Sequence, residues 1–150
     1  MDIASYITGF VEGEGCFCVS FNLRSKLKTG IEVRPSFSVS QHKRNAKALE
    51  VVQDYFQCGG IRYSSRDHSY KYEVRRIDDL QKVIIPHFKK YRLIGGKADD
   101  FDKFILVCDM VAKNYHRNNH RLVEIIELAY DINQGRRKIN KEKLLKHLAR

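Results

Sequence analysis

The stretch Ile7-Thr8-Gly9-Phe10-Val11-Glu12-Gly13-Glu14-Gly15-Cys16-Phe17-Cys18-Val19-Ser20-Phe21 is where the chain changes its period. Upstream of it Asp2 is a suitable N-cap, and a helix is expected from about Ile3 to Glu12, stopped by Gly13 and Gly15. From Cys16 the apolar positions recur at every second residue: Phe17, Val19 and Phe21 alternate with Cys18, Ser20, Asn22 and Arg24. That is the pattern of a strand buried on one face only. Within the helix Ser5, Gly9 and Gly13 fall at successive i+4 positions, so one face carries almost no side chain. Such a face lets a second helix backbone approach closely.

Working outward, Lys26-Leu27-Lys28-Thr29-Gly30 turns the chain into a second alternating strand. Val33, Phe37 and Val39 point inward there, and Arg34, Ser36, Ser38 and Ser40 outward. Helical spacing follows from Asn45 to Phe56, with Leu49, Val52 and Phe56 on one stripe, ended by Gly59-Gly60. Another hairpin comes next, with Tyr70, Tyr72 and Val74 on one side of its second arm and Ser65-Arg66-Asp67-His68 as its turn. Ile77, Leu80, Val83 and Ile84 read as a helix broken near Pro86. After Gly95-Gly96 a long helix carries Phe101, Phe104, Ile105, Cys108 and Val111, and a further one Leu122, Ile125, Ile126 and Ala129, stopping at Asn133-Gln134-Gly135. A basic final helix holds Leu144, Leu145 and Leu148. The order αββαββα, with added C-terminal helices, predicts an α+β domain in which an antiparallel sheet carries its helices on one face. One domain is expected over 1–150, with a core to residue 134 and a loosely attached basic helix over 135–150.

Twenty-eight Lys and Arg against eighteen Asp and Glu give a net charge of +10, a field that attracts polyanions, of which nucleic acid is the commonest. No apolar run approaches the length of a membrane span, and no signal peptide is evident. The cysteines at 16, 18, 58 and 108 do not form a secreted disulfide pattern. A zinc site from Cys16, Cys18, His116 and His120 lacks a CxxC pair, and reduced thiols are the simpler reading.

The run Gly9-Phe10-Val11-Glu12-Gly13-Glu14-Gly15, followed by Cys16-Phe17 opening a strand, resembles the LAGLIDADG motif of homing endonucleases, and the element order extends the resemblance over nearly the whole chain. The resemblance implies an enzyme that makes a double-strand break in DNA by metal-dependent phosphodiester hydrolysis at a long pseudo-palindromic target. With one copy of the motif present, it implies a homodimer meeting through Ser5, Gly9, Phe10 and Gly13. Glu14, with the carbonyl of Gly13, is the implied ligand for Mg²⁺ or another divalent cation. Gln41, at the end of the second strand, is implied to order solvent at the scissile phosphate, and Lys97 to stabilise the phosphorane charge. A basic residue is frequent on the helix after Gln41, and by spacing that position falls on Asn45. Thr8 replaces the usual small Ala, its hydroxyl expected to bond back to its own helix, and Glu12 is expected to cap or to pack at the interface.

The expected DNA-reading surface is the polar sheet face: Ser20, Asn22, Arg24, Lys26, Arg34, Ser36, Ser38 and Ser40 from the first hairpin, and Arg62, Ser64, Arg66, Lys71, Glu73 and Arg75 from the second. A β-ribbon of this kind fits the major groove. Lys113, Arg117, Arg136, Arg137 and Lys138 are expected to meet phosphate or solvent. Two other functions stay open within the resemblance: an RNA maturase acting on intron RNA, and a DNA-binding regulator without catalysis. Family members of this kind are intron-borne, so synthesis in place in a bacterial cytoplasm, chloroplast or mitochondrion is expected, with no membrane partner.

Overall fold

A computed structural model describes residues 1–133 and 137–149; Gln134, Gly135 and Arg136, which include the expected end of the penultimate helix and one phosphate-contact candidate, lie outside the described residues. Helix α1 (Ile3–Glu14) leads directly into strand β1 (Gly15–Leu23), which pairs antiparallel with β2 (Ile31–His42). Helix α2 (Ala46–Phe56) crosses to a second hairpin, β3 (Gly60–Ser64) and β4 (Ser69–Val74). The four strands form one antiparallel sheet in the order β1-β2-β4-β3. Short helix α3 (Ile77–Asp79), a π turn (Leu80–Ile84) and α4 (Ile85–Lys90) follow, and then α5 (Gly96–Ala112), α6 (Asn119–Tyr130) and α7 (Lys141–Leu148). This is the α+β arrangement that the alternating periods predict.

Alternation divides the sheet. Phe17, Val19, Phe21, Phe37, Val39, Tyr72 and Val74 are all buried beneath the helices. At the centre Phe17 meets Phe37, Phe88, Phe101 and Phe104 at ring-centroid distances of 5.3, 5.5, 5.2 and 5.3 Å. Such offset aromatic packing adds about 1 kcal/mol per pair beyond burial.

Three sequence expectations change. Helix α1 runs on to Glu14, because Gly13 keeps helical geometry and the turn is made at Gly15, whose backbone is extended. A Cβ on Gly15 would lie 2.6 Å from Val11 Cγ1, so only glycine lets the strand leave so close beneath the helix. Pro86 does not break its helix: it occupies the first turn of α4, and the π turn just before it widens the backbone where proline donates no hydrogen bond. The C-terminal helix is firmly attached, since Leu144 is fully buried and Leu148 nearly so, within the same cluster as Phe17. No helix among the described residues is long and apolar enough to cross a membrane.

The outer edge of β1 is covered by the segment after α6. Asn133 Nδ2 donates to Cys16 Sγ at 3.2 Å and also to the Phe17 carbonyl. Arg137 donates to the carbonyls of Val19 at 2.6 Å and Ile132 at 3.0 Å, and to that of Ala129, while its guanidinium lies over the Tyr130 ring. The sequence expectation that Arg137 meets phosphate or solvent is thus corrected: its guanidinium is taken up by backbone carbonyls, capping the end of α6 and protecting an otherwise unpaired strand edge.

Candidate catalytic centre and nucleic-acid interface

Helix α1 buries Ala4, Ile7, Thr8 and Val11 against the body and leaves Ser5, Gly9, Gly13 and Glu14 exposed. Among the described residues no atom lies within 4 Å of a Cβ built on Gly9 or Gly13, so this face is open there. Phe10 is half-buried and stacks on Tyr6 with centroids 6.0 Å apart. Beside this face Ile94 is 92% exposed, and it borders a groove with Ser5, Gly9 and Tyr91. The face expected to meet a partner is therefore uncovered and continues onto the 91–94 loop. The Thr8 hydroxyl does not bond back to its helix: it donates to the Tyr91 carbonyl at 2.8 Å and lies 3.0 Å from His87 Nε2.

Glu14 and the Lys97 ammonium lie at the C-terminal end of α1, and strand register carries Gln41 to the same end of the sheet. Glu14 is the last helical residue, and among the described residues its carboxylate has no hydrogen-bond or ion-pair partner. The last carbonyls of a helix lack intrahelical partners and form its negative end. Lys97, in the first turn of α5, extends its ammonium to this end, donating to the Val11 carbonyl at 2.9 Å and the Glu12 carbonyl at 3.2 Å. Gln41 stands two residues beyond Val39, the partner of Gly15, so register carries it to the same end of the sheet. Its amide nitrogen donates to the Ser40 carbonyl at 2.9 Å, and its oxygen accepts from Asn45 Nδ2 at 3.3 Å. Asn45 is thus tied to Gln41, the position that spacing assigns to a basic residue.

The donor set suits a hard divalent cation: an exposed carboxylate and helix-end carbonyls, all oxygen. One chain offers only part of a coordination shell, for among the described residues no group of three or more His, Cys, Asp or Glu is assembled to hold a metal. Cys16 and Cys18 lie on β1 while His116 borders the tip of the first hairpin, so the zinc set considered from sequence is not brought together.

Pairing fixes the opposite, polar face of the sheet. Cys16 lies across from Ser38, Cys18 from Ser36, Ser20 from Arg34 and Asn22 from Glu32. Ser38 in turn faces Glu73, Ser40 faces Lys71, and Lys71 faces Arg62. Ser20, Asn22, Arg34, Ser40, Arg62, Ser64, Lys71 and Glu73 therefore share one surface. Arg24, Lys26, Arg66 and Arg75 sit beyond the strand ends or in the turns, all exposed. Ser36 and Ser38 point the expected way but are only 8% and 7% exposed, because short side chains in an inner strand are screened by longer neighbours such as Glu73.

Sequence reasoning missed part of this surface. Cys16, Cys18, Glu32, His42 and Ser69 occupy it too, and even-numbered alternation along β1 and β2 was the available signal for four of them. Glu32 accepts from Arg24 at 2.7 Å and from Asn22 at 3.2 Å; Arg24 above all, and Asn22, hold its carboxyl below the usual range. Glu73 lies within 4 Å of three cations, Arg62 at 3.0 Å, Lys71 at 3.4 Å and Arg75 at 3.6 Å. The face is basic at its rim, with a carboxylate inside each hairpin.

Comparison with known proteins bears on this geometry. The family model described as LAGLIDADG endonuclease matches residues 7–108. The probable intron-encoded endonuclease 2 of Neurospora crassa is 33% identical over 139 residues, covering 92% of this chain and 31% of that protein. The crystal structure of a homing endonuclease, I-TnaI, superposes with a TM-score of 0.85 at 34% identity, covering 97% of this chain and 95% of that one. The I-LtrWI LAGLIDADG homing endonuclease, solved bound to target DNA, superposes with a TM-score of 0.89 at 27% identity over 94% of this chain and 48% of that one. The chain spans less than half the length of the first curated relatives it matches, 31%, 47% and 24%.

Proposed function

Since this chain belongs to the LAGLIDADG endonuclease family, we propose that it is a site-specific DNA endonuclease of intron homing, cutting both strands of a long pseudo-palindromic duplex. The observation that supports this reading is the end of α1, where the Glu14 carboxylate has no partner among the described residues and the Lys97 ammonium reaches the last carbonyls, with Gln41 at the same end of the sheet. Those residues stand below a polar sheet face whose rim is basic.

Glu14 and the Gly13 carbonyl would hold a divalent cation such as Mg²⁺, which would supply Lewis acidity and activate water at the scissile phosphate. Gln41, steadied by Asn45, orients the solvent that attacks. Lys97 places positive charge where the phosphorane oxygens develop theirs. The open face of Ser5, Gly9, Phe10 and Gly13 meets its equivalent in a second copy of this fold, bringing two Glu14 carboxylates to one axis so that each unit directs one nick. The sheet faces then follow the major groove, and two half-sites, each about one helical turn of ~10 bp, make the target. Synthesis takes place in the compartment that holds the host intron.

The test is cleavage of the intron-free allele spanning the gene's own insertion site, with Mg²⁺. Wild type makes a double-strand break; Glu14→Gln binds the same DNA and leaves it whole. Binding without cutting by the wild type, across several divalent metals, defeats the nuclease reading in favour of a regulator. A parallel intron-splicing assay exposes a maturase.

A further inference from the structure

Glu12 stands two residues before Glu14, and its carboxylate is engaged wholly within the chain. Oε2 accepts the Ile94 N–H at 2.8 Å and Oε1 accepts the Gly95 N–H at 2.8 Å. The approach is as close as the backbone permits, for a Cβ on Gly95 would sit 2.9 Å from Oε1. Gly95 is the N-cap of α5 and has no side chain to cap it, so the Glu12 carboxylate, reaching in from another element, takes up N–H groups at the helix entry.

Lys97 returns the contact. From the first turn of α5 its ammonium reaches back to the carbonyls of Val11 and Glu12. An acid from the end of α1 thus holds amides at the start of α5, and a cation from the start of α5 holds carbonyls at the end of α1. Both charges have the sign that the facing helix end favours, and both sets of bonds are charge-assisted. Little else fixes the turn between them. Leu93 and Phe101 are buried on either side, whereas Ile94 is 92% exposed and Gly95 and Gly96 have nothing to pack.

We propose that Glu12 is a positioning residue for cleavage: it fixes the Ile94–Gly96 turn and through that turn sets where the Lys97 ammonium stands, without itself touching metal or DNA. The proposal rests on the nuclease reading above. A lysine on four rotatable bonds serves a reaction only when its own backbone is held within about 0.5 Å, and misplacement by about 1 Å costs on the order of 100-fold in rate. Glu12→Gln keeps the shape but turns one acceptor into an NH₂ that confronts a backbone N–H. The turn is then held by one bond at most.

The experiment compares wild type, Glu12→Gln, Lys97→Met and the double variant. It reads single-turnover cleavage, DNA affinity and hydrogen exchange at the Ile94 and Gly95 amides. Glu12→Gln is expected to cut roughly 10- to 100-fold more slowly while its Kd changes by less than about 3-fold, and to exchange the two amides faster. In the double variant the loss equals that of Lys97→Met alone, the mark of two residues acting as one unit. Gly95→Ala attacks the same contact from the α5 side and serves if Glu12→Gln does not fold. Losses that multiply in the double variant, or a fall in DNA affinity that accounts for the whole loss of rate, overturn the positioning role. Unchanged amide exchange in both variants overturns the clamp. A wild type that cuts no DNA overturns the nuclease reading and the catalytic half of this proposal, while the exchange data still decide the clamp.

Discussion

His87 lies buried beneath the helix that carries Glu14, where it joins three elements. The Thr8 hydroxyl donates to the Tyr91 carbonyl, so it serves as acceptor for His87 Nε2–H at 3.0 Å; the Tyr55 hydroxyl then donates to Nδ1 at 2.8 Å. This assignment makes the ring neutral, and burial pushes its pKa down to about 4. In the unfolded chain the imidazole takes up its proton near pH 6.5, whereas in the folded chain it does so only near 4. The unfolded state therefore binds more protons across that window, and stability falls as pH drops from 6.5 towards 4. About 3 kcal/mol is at stake. Urea midpoints at pH 7 and pH 4.5, in wild type and His87→Phe, check this: the acid-induced fall is expected to shrink in the variant. Thr8→Val leaves the His87 N–H and the Tyr91 carbonyl without that partner and costs about 1–3 kcal/mol. None of this was legible in sequence. The partners of Thr8 lie 79 and 83 residues away, and Glu12 meets amides 82 and 83 residues away; no local period encodes such contacts. Glu14 could be singled out in sequence because it belongs to a contiguous motif.

Among the elements, α1 bears two opposed demands. Its inner side packs Ile7 and Val11 at full burial, while Gly9 and Gly13 on the outer side leave open space. In an isolated chain, filling that space is harmless, and Gly9→Ala raises the fold's stability by up to about 1 kcal/mol through helix propensity. A larger residue blocks close approach of a second helix. If wild type self-associates through this face, Gly9→Leu is expected to sediment as a monomer at concentrations where wild type is a dimer, while its melting temperature, unlike that of wild type, no longer rises with protein concentration. Unchanged sedimentation in that variant rules this face out as the interface. Periodicity located nearly every helix and strand, since amphipathic faces repeat at 3.6 or 2 residues whatever the tertiary context. It misjudged two boundaries for a shared reason. Gly13 and Pro86 are helix breakers by average propensity, but one is tolerated in an exposed last turn and the other sits after a π turn that absorbs its missing N–H.

Across the whole molecule the charge of +10 is distributed unevenly over the sheet, with cations outside and Glu32 and Glu73 within. DNA binding is expected to weaken steeply with salt, by about 0.9 in log K per log unit of salt for each phosphate contact. Lys71→Ala is expected to lower that slope by about one contact, measured by titration at several salt concentrations. The layout of the face was legible from strand alternation, but not its internal ion pairs, which depend on which strands become neighbours: β2 pairs β4, a strand far on in the chain, and so brings Ser38 against Glu73.

Those internal carboxylates bear on how such a protein ignores the wrong sequence. Glu73 lies within ion-pair reach of Arg62, Lys71 and Arg75 together, and its charge offsets part of the attraction those cations have for phosphate. On the DNA-binding reading, a random duplex is expected to feel that offset, whereas a base with an amino group at the right place would give Glu73 a hydrogen bond to accept. Replacing Glu73 with glutamine would therefore yield a protein that holds most DNA more tightly and tells its own site apart less well.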